Sequence, residues 1–469
     1  KGSHLYGNSS QEMFGSGVHL NSSGTILAVG SPQYSGNSGR TQIYEWNGSA
    51  WAIKGSHIAG MAASDVSSVK SINNDGTIVA IGATGFDGGV GADSGTVLIY
   101  EWSGSAWQLK GSQINGLTVG ENSGSGVSLN SDGTIVAIGA QYFGGGAGTY
   151  SGTTRIYEWN GTAWVLKGSQ INGLTAGERS GNAVSLSSDG ETVAIGARKY
   201  SSEANSETGT VRIYEWNGTT WILNKQIDGS IADEEFGWDV SIDNSGNTVA
   251  ISTPLYNGGA GTNSGLGRIY HVSNHDVKTD ASYQLLGGTP IYGPGTGIFF
   301  GNNVSLDASG YTIAISSRYE TTAAYPDLGS YSATDHRPGG ARIYKYSDPT
   351  SMTGIWTVDT RIVGNSIYDN EAGSGPELGR GTHLNDDGTI VLLTSRYYNV
   401  YSSGSRIING VAKVYSTRYF TYSGDSDKKL VKQVNDVSYN FYYGDICLEV
   451  MNDFDLSLIH ISEPTRHDQ

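Results

Sequence analysis

The side chains that could do chemistry in this sequence are few, and most of them recur. A glutamate returns as Glu12, Glu121, Glu178 and Glu235, and an aromatic returns as Tyr34, Phe86, Phe143, Tyr200, Tyr256, Tyr319 and Tyr398. Carboxylates at such intervals could ring one face with negative charge, although solvated loop carboxylates explain the same recurrence. A ring of aromatics suits sugars, peptides or other ligands with an apolar face, and these seven are the candidate ligand-binding residues. Packing between neighbouring elements is the plainer reading of the same rings. His271, His275, Asp276 and Asp280 form one further cluster. On a helix its two imidazoles would share a face, as metal-ligand pairs do. The cluster follows a strand-like run ending at Tyr270, however, and solvated loop groups fit it better. No G-x-S-x-G, H-E-x-x-H or phosphate-cradling glycine loop with lysine is present. A sialidase-type S-x-D-x-G-x-x-W box is absent as well, and the paired carboxylates of a glycosidase cannot be read across separate strands. These motifs give no reason to expect a catalytic residue, a metal or a cofactor.

The elements that must position these residues come from a repeat. The stretch Val127 to Ala140, V-S-L-N-S-D-G-T-I-V-A-I-G-A, occurs seven times, centred on Gly24, Gly76, Gly133, Gly190, Gly246, Gly310 and Gly388. Self-similarity at such a period marks a repeat architecture. Each copy reads as a hairpin, with Asp-Gly or Ser-Gly turning the chain because glycine takes a positive φ at little cost. The strand after the turn, such as Ile135 to Ala140, is apolar on both faces and must be covered on both. A second hairpin follows, clearest at Arg155 to Trp164 and Arg212 to Trp221, with Asn-Gly at its tip. Its tryptophans (Trp46 with Trp51, Trp102 with Trp107, Trp159 with Trp164, Trp216 with Trp221) are placed to pack across the turn. Asn47, Asn160 and Asn217 match glycosylation sequons, but the turn already demands them. Two hairpins make a four-stranded antiparallel unit that cannot bury both faces alone, whereas a ring of units can. The fold expected is therefore all-β, a seven-bladed β-propeller of four-stranded antiparallel blades.

Bulk properties agree. Of 469 residues 69 are glycine and only 15% are charged, the profile of a turn-rich and strand-rich chain. A net charge of −16 argues against nucleic acid, which needs a basic face. The single cysteine, Cys447, excludes an internal disulfide and a cysteine-based zinc site. No apolar run is long enough to span a membrane as a helix.

With the repeat laid out, the chain resembles FG-GAP repeat proteins, whose best-known members are the integrin α-subunit propellers. Phe14-Gly15, Phe236-Gly237 and Phe300-Gly301 carry one half of that motif; Gly30-Ser31-Pro32, Gly82-Ala83, Gly139-Ala140 and Gly196-Ala197 carry the other. The resemblance covers about residues 1–420. It implies a propeller that is secreted or on the cell surface and acts in adhesion or recognition, without enzymatic activity, on a protein or glycan partner. A polysaccharide-acting propeller enzyme (lyase or glycosidase) and a purely structural repeat scaffold are the alternatives. The sequence departs from the family in one respect. Where many FG-GAP blades carry a calcium loop, this chain has only short turns such as Asn130-Ser131-Asp132-Gly133, which cannot supply six to eight oxygens.

The propeller is expected over 1–434, with a partial extension at 435–455. Lys1-Gly2-Ser3-His4-Leu5 repeats the run at Lys54 that ends a fourth strand, so residues 1–5 are expected to close the ring beside Val411 to Phe420. The other reading gives that place to Leu430 to Val434 and makes 1–5 the remnant of an upstream eighth unit. The sequence opens on lysine rather than methionine, and a missing start is expected. Leu456 to Arg466 matches one reading frame of a transposase-type sequencing adapter over eleven codons, so 456–469 is expected to be non-native and the natural chain to run on differently. Insertions at Ser273 to Gly297, Arg318 to Gly340 and Arg396 to Gly410 make the last three blades the lopsided part of the rim. Because the turns lack calcium loops, adding calcium should leave the melting temperature unchanged; a large rise would show a site in those turns.

Overall fold

The structure is a computed structural model that describes residues 1–442 apart from 10, 89, 203–204, 259, 273–282, 320–338, 364–377, 396–398, 403–404, 409, 417–420, 424–428 and 435–436. Seven small antiparallel sheets stand in a ring, a seven-bladed β-propeller. Blade three shows the plan. Val127–Leu129, Ile135–Ala140, Thr153–Trp159 and Trp164–Leu166 are hydrogen-bonded in that order, from the axis outward, and Ile171–Asn172 adds to the third strand. In all seven blades every residue of the second strand is buried. Those strands have no water-facing side because the core is divided among seven blade-to-blade interfaces. Ile26, Ala28 and Ile43 of blade one meet Val69, Val79 and Ile81 of blade two, and the series runs on to Leu392 and Val414 of blade seven, which meet Leu27 and Val29 of blade one. Each fully buried Ile, Val or Leu contributes about 1.5–3 kcal/mol, so opening any one interface exposes several such residues at once.

Two sets of polar contacts hold the blades in register. The tight turn between first and second strands is built by its first residue: Asn130 Oδ1 accepts from Thr134 N and Ile135 N at 3.0 and 2.9 Å. The residue after that Asn is left with its backbone free to reach the next blade. Ser22 N donates to Asn74 O, Asn74 N to Ser131 O, Ser131 N to Ser188 O, Ser188 N to Asn244 O, Asn244 N to Ala308 O, Ala308 N to Asp386 O, and Asp386 N back to Ser22 O, all between 2.9 and 3.2 Å. The circuit has as many links as the ring has blades and closes on itself. At the opposite end, the glycine that opens each third strand touches the backbone of the following blade: Gly39 pairs with Ser67, Gly95 with Ser123, Gly152 with Ser180, Gly209 with Phe236 and Gly265 with Phe300. These partners include the phenylalanines of the Phe-Gly motif, and Phe14, Phe236 and Phe300 are fully buried.

The outer hairpins interlock in the same sense. Trp159 and Trp164 pack with ring centroids 5.4 Å apart, and Trp164 Nε1 donates to Lys110 O of blade two at 2.8 Å. Lys110 Nζ lies 5.1 Å from the Trp159 ring, and a Cβ on Gly111 would stand 2.6 Å from that indole. Lys-Gly-Ser thus ends one blade by seating it on the tryptophans of the next. At the ring closure Lys1-Gly2 does this for Trp46 and Trp51, and Leu5–Tyr6 forms the outer strand of blade seven, with Leu5 opposite Ala412 and Tyr6 opposite Val411. Lys429–Val434 lies in a separate three-stranded sheet with Thr421–Ser423 and Val437–Tyr442. Residues 443–469, including the adapter-like tail, lie outside the described residues, as do 273–282, 320–338, 396–398, 403–404 and 409 of the large insertions. Among the described residues no helix is long and apolar enough to cross a membrane.

Gly152 (φ +78°) and Gly161 (φ +99°) separate turn strain from blade contact. A Cβ at Gly152 would meet Ser180 O at 2.1 Å, whereas at Gly161 nothing lies within 4 Å. Gly161→Ala should cost about 1 kcal/mol of left-handed strain. Gly152→Ala should cost at least about 1 kcal/mol more, read from urea unfolding, because backbone must move.

Candidate functional site

Strands alternate in direction, so the linkers between blades and the loops between second and third strands share one face, here the loop face. The Asn-Gly and Asp-Gly turns share the other. Backbone bonds tie the two kinds of loop together: Gly120 N donates to Ala92 O, Asn122 N to Asp93 O, Gly177 N to Thr149 O and Arg179 N to Tyr150 O. The residues that make these contacts adopt positive φ without being glycine, among them Asp93, Asn122, Tyr150 and Arg179.

The recurring glutamates organise this face from beneath, and here the structure corrects the solvated reading. Glu12, Glu121 and Glu178 are fully buried. Glu121 accepts both terminal nitrogens of Arg155 at 2.6 and 3.1 Å, Leu117 N at 2.9 Å and Thr118 Oγ1 at 2.8 Å. Glu178 does the same for Arg212, at 2.6 and 3.0 Å, and for Leu174 N and Thr175. Arg155 and Arg212 turn their Nε to Gln170 and Gln226. In blade one Arg40 Nη2 lies 2.7 Å from Glu12 Oε2. In blade five the glutamate paired with that blade's arginine is Glu234, 3.5 Å from Arg268, and not Glu235, also buried, which bonds Arg198 and Lys199. Glu and Arg stand 34 residues apart in blades three, four and five. That constant interval was the available signal.

Six of the seven candidate aromatics are half-buried, and Tyr398 lies outside the described residues. Three lie over a guanidinium of these pairs: Tyr34 at 4.3 Å from Arg40, Phe143 at 5.3 Å from Arg155 and Tyr200 at 5.5 Å from Arg212. Tyr319 lies 5.3 Å from Arg318, and Tyr256 packs against Tyr292 with centroids 6.0 Å apart. Phe86 folds over Gly88 in its own loop. The structure does not bring these rings into one cluster; each serves its own blade. His271 ends a strand and its Nδ1 lies 2.9 Å from Thr248 Oγ1, so it has no helical partner; His275, Asp276 and Asp280 lie outside the described residues.

The loop face also exposes apolar side chains. Met61, Val66, Val90, Leu117, Val119, Tyr150, Leu174 and Tyr292, all in these loops, are 40–64% exposed. Nearer the axis Trp238 is half-buried beneath Arg198, whose guanidinium lies 4.6 Å from the indole, and Asn182 of blade four donates to Trp238 O at 3.0 Å. The adjacent Asp239 takes Asn303 Nδ2 and Val304 N, each at 3.0 Å, and burial raises its carboxyl above the ordinary range despite those bonds. Across the other mouth of the channel, Asp386 Oδ2 accepts from Asn74 and Asn244, each at 3.4 Å.

No family model matches the chain, and no curated protein is similar to it in sequence. Solved structures are similar in shape. A chain of Kuenenia stuttgartiensis hydrazine synthase has a TM-score of 0.51 at 12% identity, over 89% of this chain and 99% of that one. A Bacteroides uniformis protein, named as a candidate 6-phosphogluconolactonase, has a TM-score of 0.50 at 10% identity, over 75% of this chain and 86% of its own. The likeness is one of fold alone.

Replacing Glu178 by Gln leaves Arg212 buried without its countercharge and should cost about 3–5 kcal/mol in chemical unfolding. Glu158→Gln, which removes an exposed pair with Lys167, should cost under about 1 kcal/mol.

Proposed function

We propose that this chain is a non-enzymatic binding or adhesion propeller of a secreted or cell-surface protein, of the FG-GAP kind, that engages a protein or glycan through its loop face. The observation that carries the reading is the set of exposed apolar side chains on the clamped linkers of the loop face, which stand apart from those on the outer strands such as Ile53, Leu109 and Ile222. Leu117, Val119 and Leu174 stand in linkers whose backbones are clamped by Glu121 and Glu178, so the chain holds them out at fixed positions. The turn face at the same blades shows Asp75, Asp132 and Asp189 to water. Apolar side chains on a rigid rim lose little freedom when a partner covers them, and that favours association. Trp238 beside Arg198 adds a flat aromatic at the channel mouth, suited to stacking on a sugar or a peptide ring. In this reading the half-buried Tyr34, Phe86, Phe143, Tyr200, Tyr256 and Tyr319 are secondary contacts.

A glycan and protein array probed with the whole chain should return ligands whose binding falls roughly tenfold or more in a Leu117→Asp, Leu174→Asp double variant. The same ligands should be unaffected by Asp132→Lys on the opposite face. Binding that survives the first change and is lost with the second would put the interface elsewhere.

A further inference from the structure

The innermost strands carry a pattern at mid-height in the axial channel that the loop face does not explain. Five blades place a serine at the same register, Ser71, Ser128, Ser185, Ser241 and Ser305, each opposite an alanine of its second strand. Each Oγ accepts a backbone N–H from the first strand of the following blade: Leu129, Leu186, Ile242, Leu306 and Leu384, at 2.9–3.1 Å. The two remaining blades have histidine there. His19 stands opposite Ala28 in blade one and His383 opposite Leu392 in blade seven. The two rings lie 5.1 Å apart at 67°. Between Val69 and Ser71 of blade two the register slips, and the extra residue is Lys70. Three basic side chains therefore stand on three successive blades around the ring closure, each keeping some accessible surface although the strands that bear them are the innermost of the molecule.

Among the described residues this layer offers donors and no carboxylate. A serine hydroxyl that accepts a backbone N–H still has its own proton to give. His383 Nδ1 is buried and has no hydrogen-bond partner. Burial, then His383, then Lys70 all push the His19 imidazole well below its ordinary range. Burial holds His383 down to about 4, against the backbone hydrogen bond at Leu384, and burial also lowers Lys70. The channel carboxylates are engaged at other levels, Asp239 by Asn303 and Val304, Asp386 by Asn74 and Asn244. A buried imidazole nitrogen without a partner, beside a second imidazole whose charge His383 and Lys70 disfavour, is an environment that a bound anion relieves.

We infer that His19, His383 and Lys70, with the serine hydroxyls beside them, form a binding site for a small oxyanion, a phosphate or a carboxylate, that enters from the loop face. The Asp386 bridge spans the other mouth. The inference stands apart from the apolar rim: the rim could fail as an interface and the axial layer would keep its donors.

Calorimetry on the whole chain tests it with three probes: inorganic phosphate, galacturonate, and galactose as the neutral control. One of the two anions should bind saturably and galactose should not. Affinity should fall at least about tenfold in His383→Ser. That variant supplies the residue the other five blades use, so its melting temperature should hold or rise. Lys70→Met, at an extra residue of the bulge, should weaken binding in the same direction and carries the test if His383→Ser does not fold. Tighter galacturonate assigns an acidic sugar; tighter phosphate assigns a phosphate. Absence of saturable heat with both anions overturns the site, as does equal affinity in wild type and both variants. Zinc binding lost in His383→Ser without any anion binding would overturn it in favour of a metal pair.

Discussion

A strand with two apolar faces is the constraint from which the rest of the structure follows. Runs such as Ile135–Ala140 leave no polar side for water, so each sheet must be sandwiched between two others. An open row of sheets would leave one uncovered at each end. Bending the row until the first sheet covers the last removes both ends, and the cluster joining Leu392 and Val414 to Leu27 and Val29 is the result. Apolar burial alone is tolerant of small slips between sheets. The directional part is supplied by backbone: the circuit through Ser22, Asn74, Ser131, Ser188, Asn244, Ala308 and Asp386 fixes how each blade stands against the next.

Charge is used at the loop face to make irregular backbone rigid. A linker without regular structure has amides that need partners, and Glu121 and Glu178 satisfy several at once while their own charge is met by Arg155 and Arg212. Desolvating such a pair is costly, and the cost is offset only because nearly every donor and acceptor in it is used. Tyr34, Phe143 and Tyr200 complete the arrangement by covering the guanidinium. Rigid loops that carry exposed Leu and Val differ from flexible ones in that contact with a partner orders little that was not ordered already.

Much of the fold was legible because turns and doubly apolar strands are local signals. Asp132-Gly133, Asn160-Gly161 and the flanking tryptophans announce two hairpins per unit whatever else the chain does. The recurring glutamates were misread because burial is a tertiary property; alone, Glu178 looks like any loop carboxylate until Arg212 is seen to cover it. Glu234 was passed over for its neighbour Glu235 for the same reason, two adjacent glutamates being indistinguishable without their partners. The axial layer was illegible in a different way. His19 and His383 sit 364 positions apart and meet only because the ring closes, while the bulge that extrudes Lys70 hides the alignment of Ser71 with its counterparts.

The hydrogen-bonded circuit at the turn face also sets how such a molecule can change over evolution. A stack with free ends can be lengthened by copying one unit, and each intermediate length remains a complete object. A closed loop of donors and acceptors admits no such gradual growth, since an added unit must break one link and reset the angle at every other. Once the Asp386 N–H donates back to Ser22 O, the unit count is locked, and novelty is channelled into the loops, where insertions leave the loop of bonds untouched.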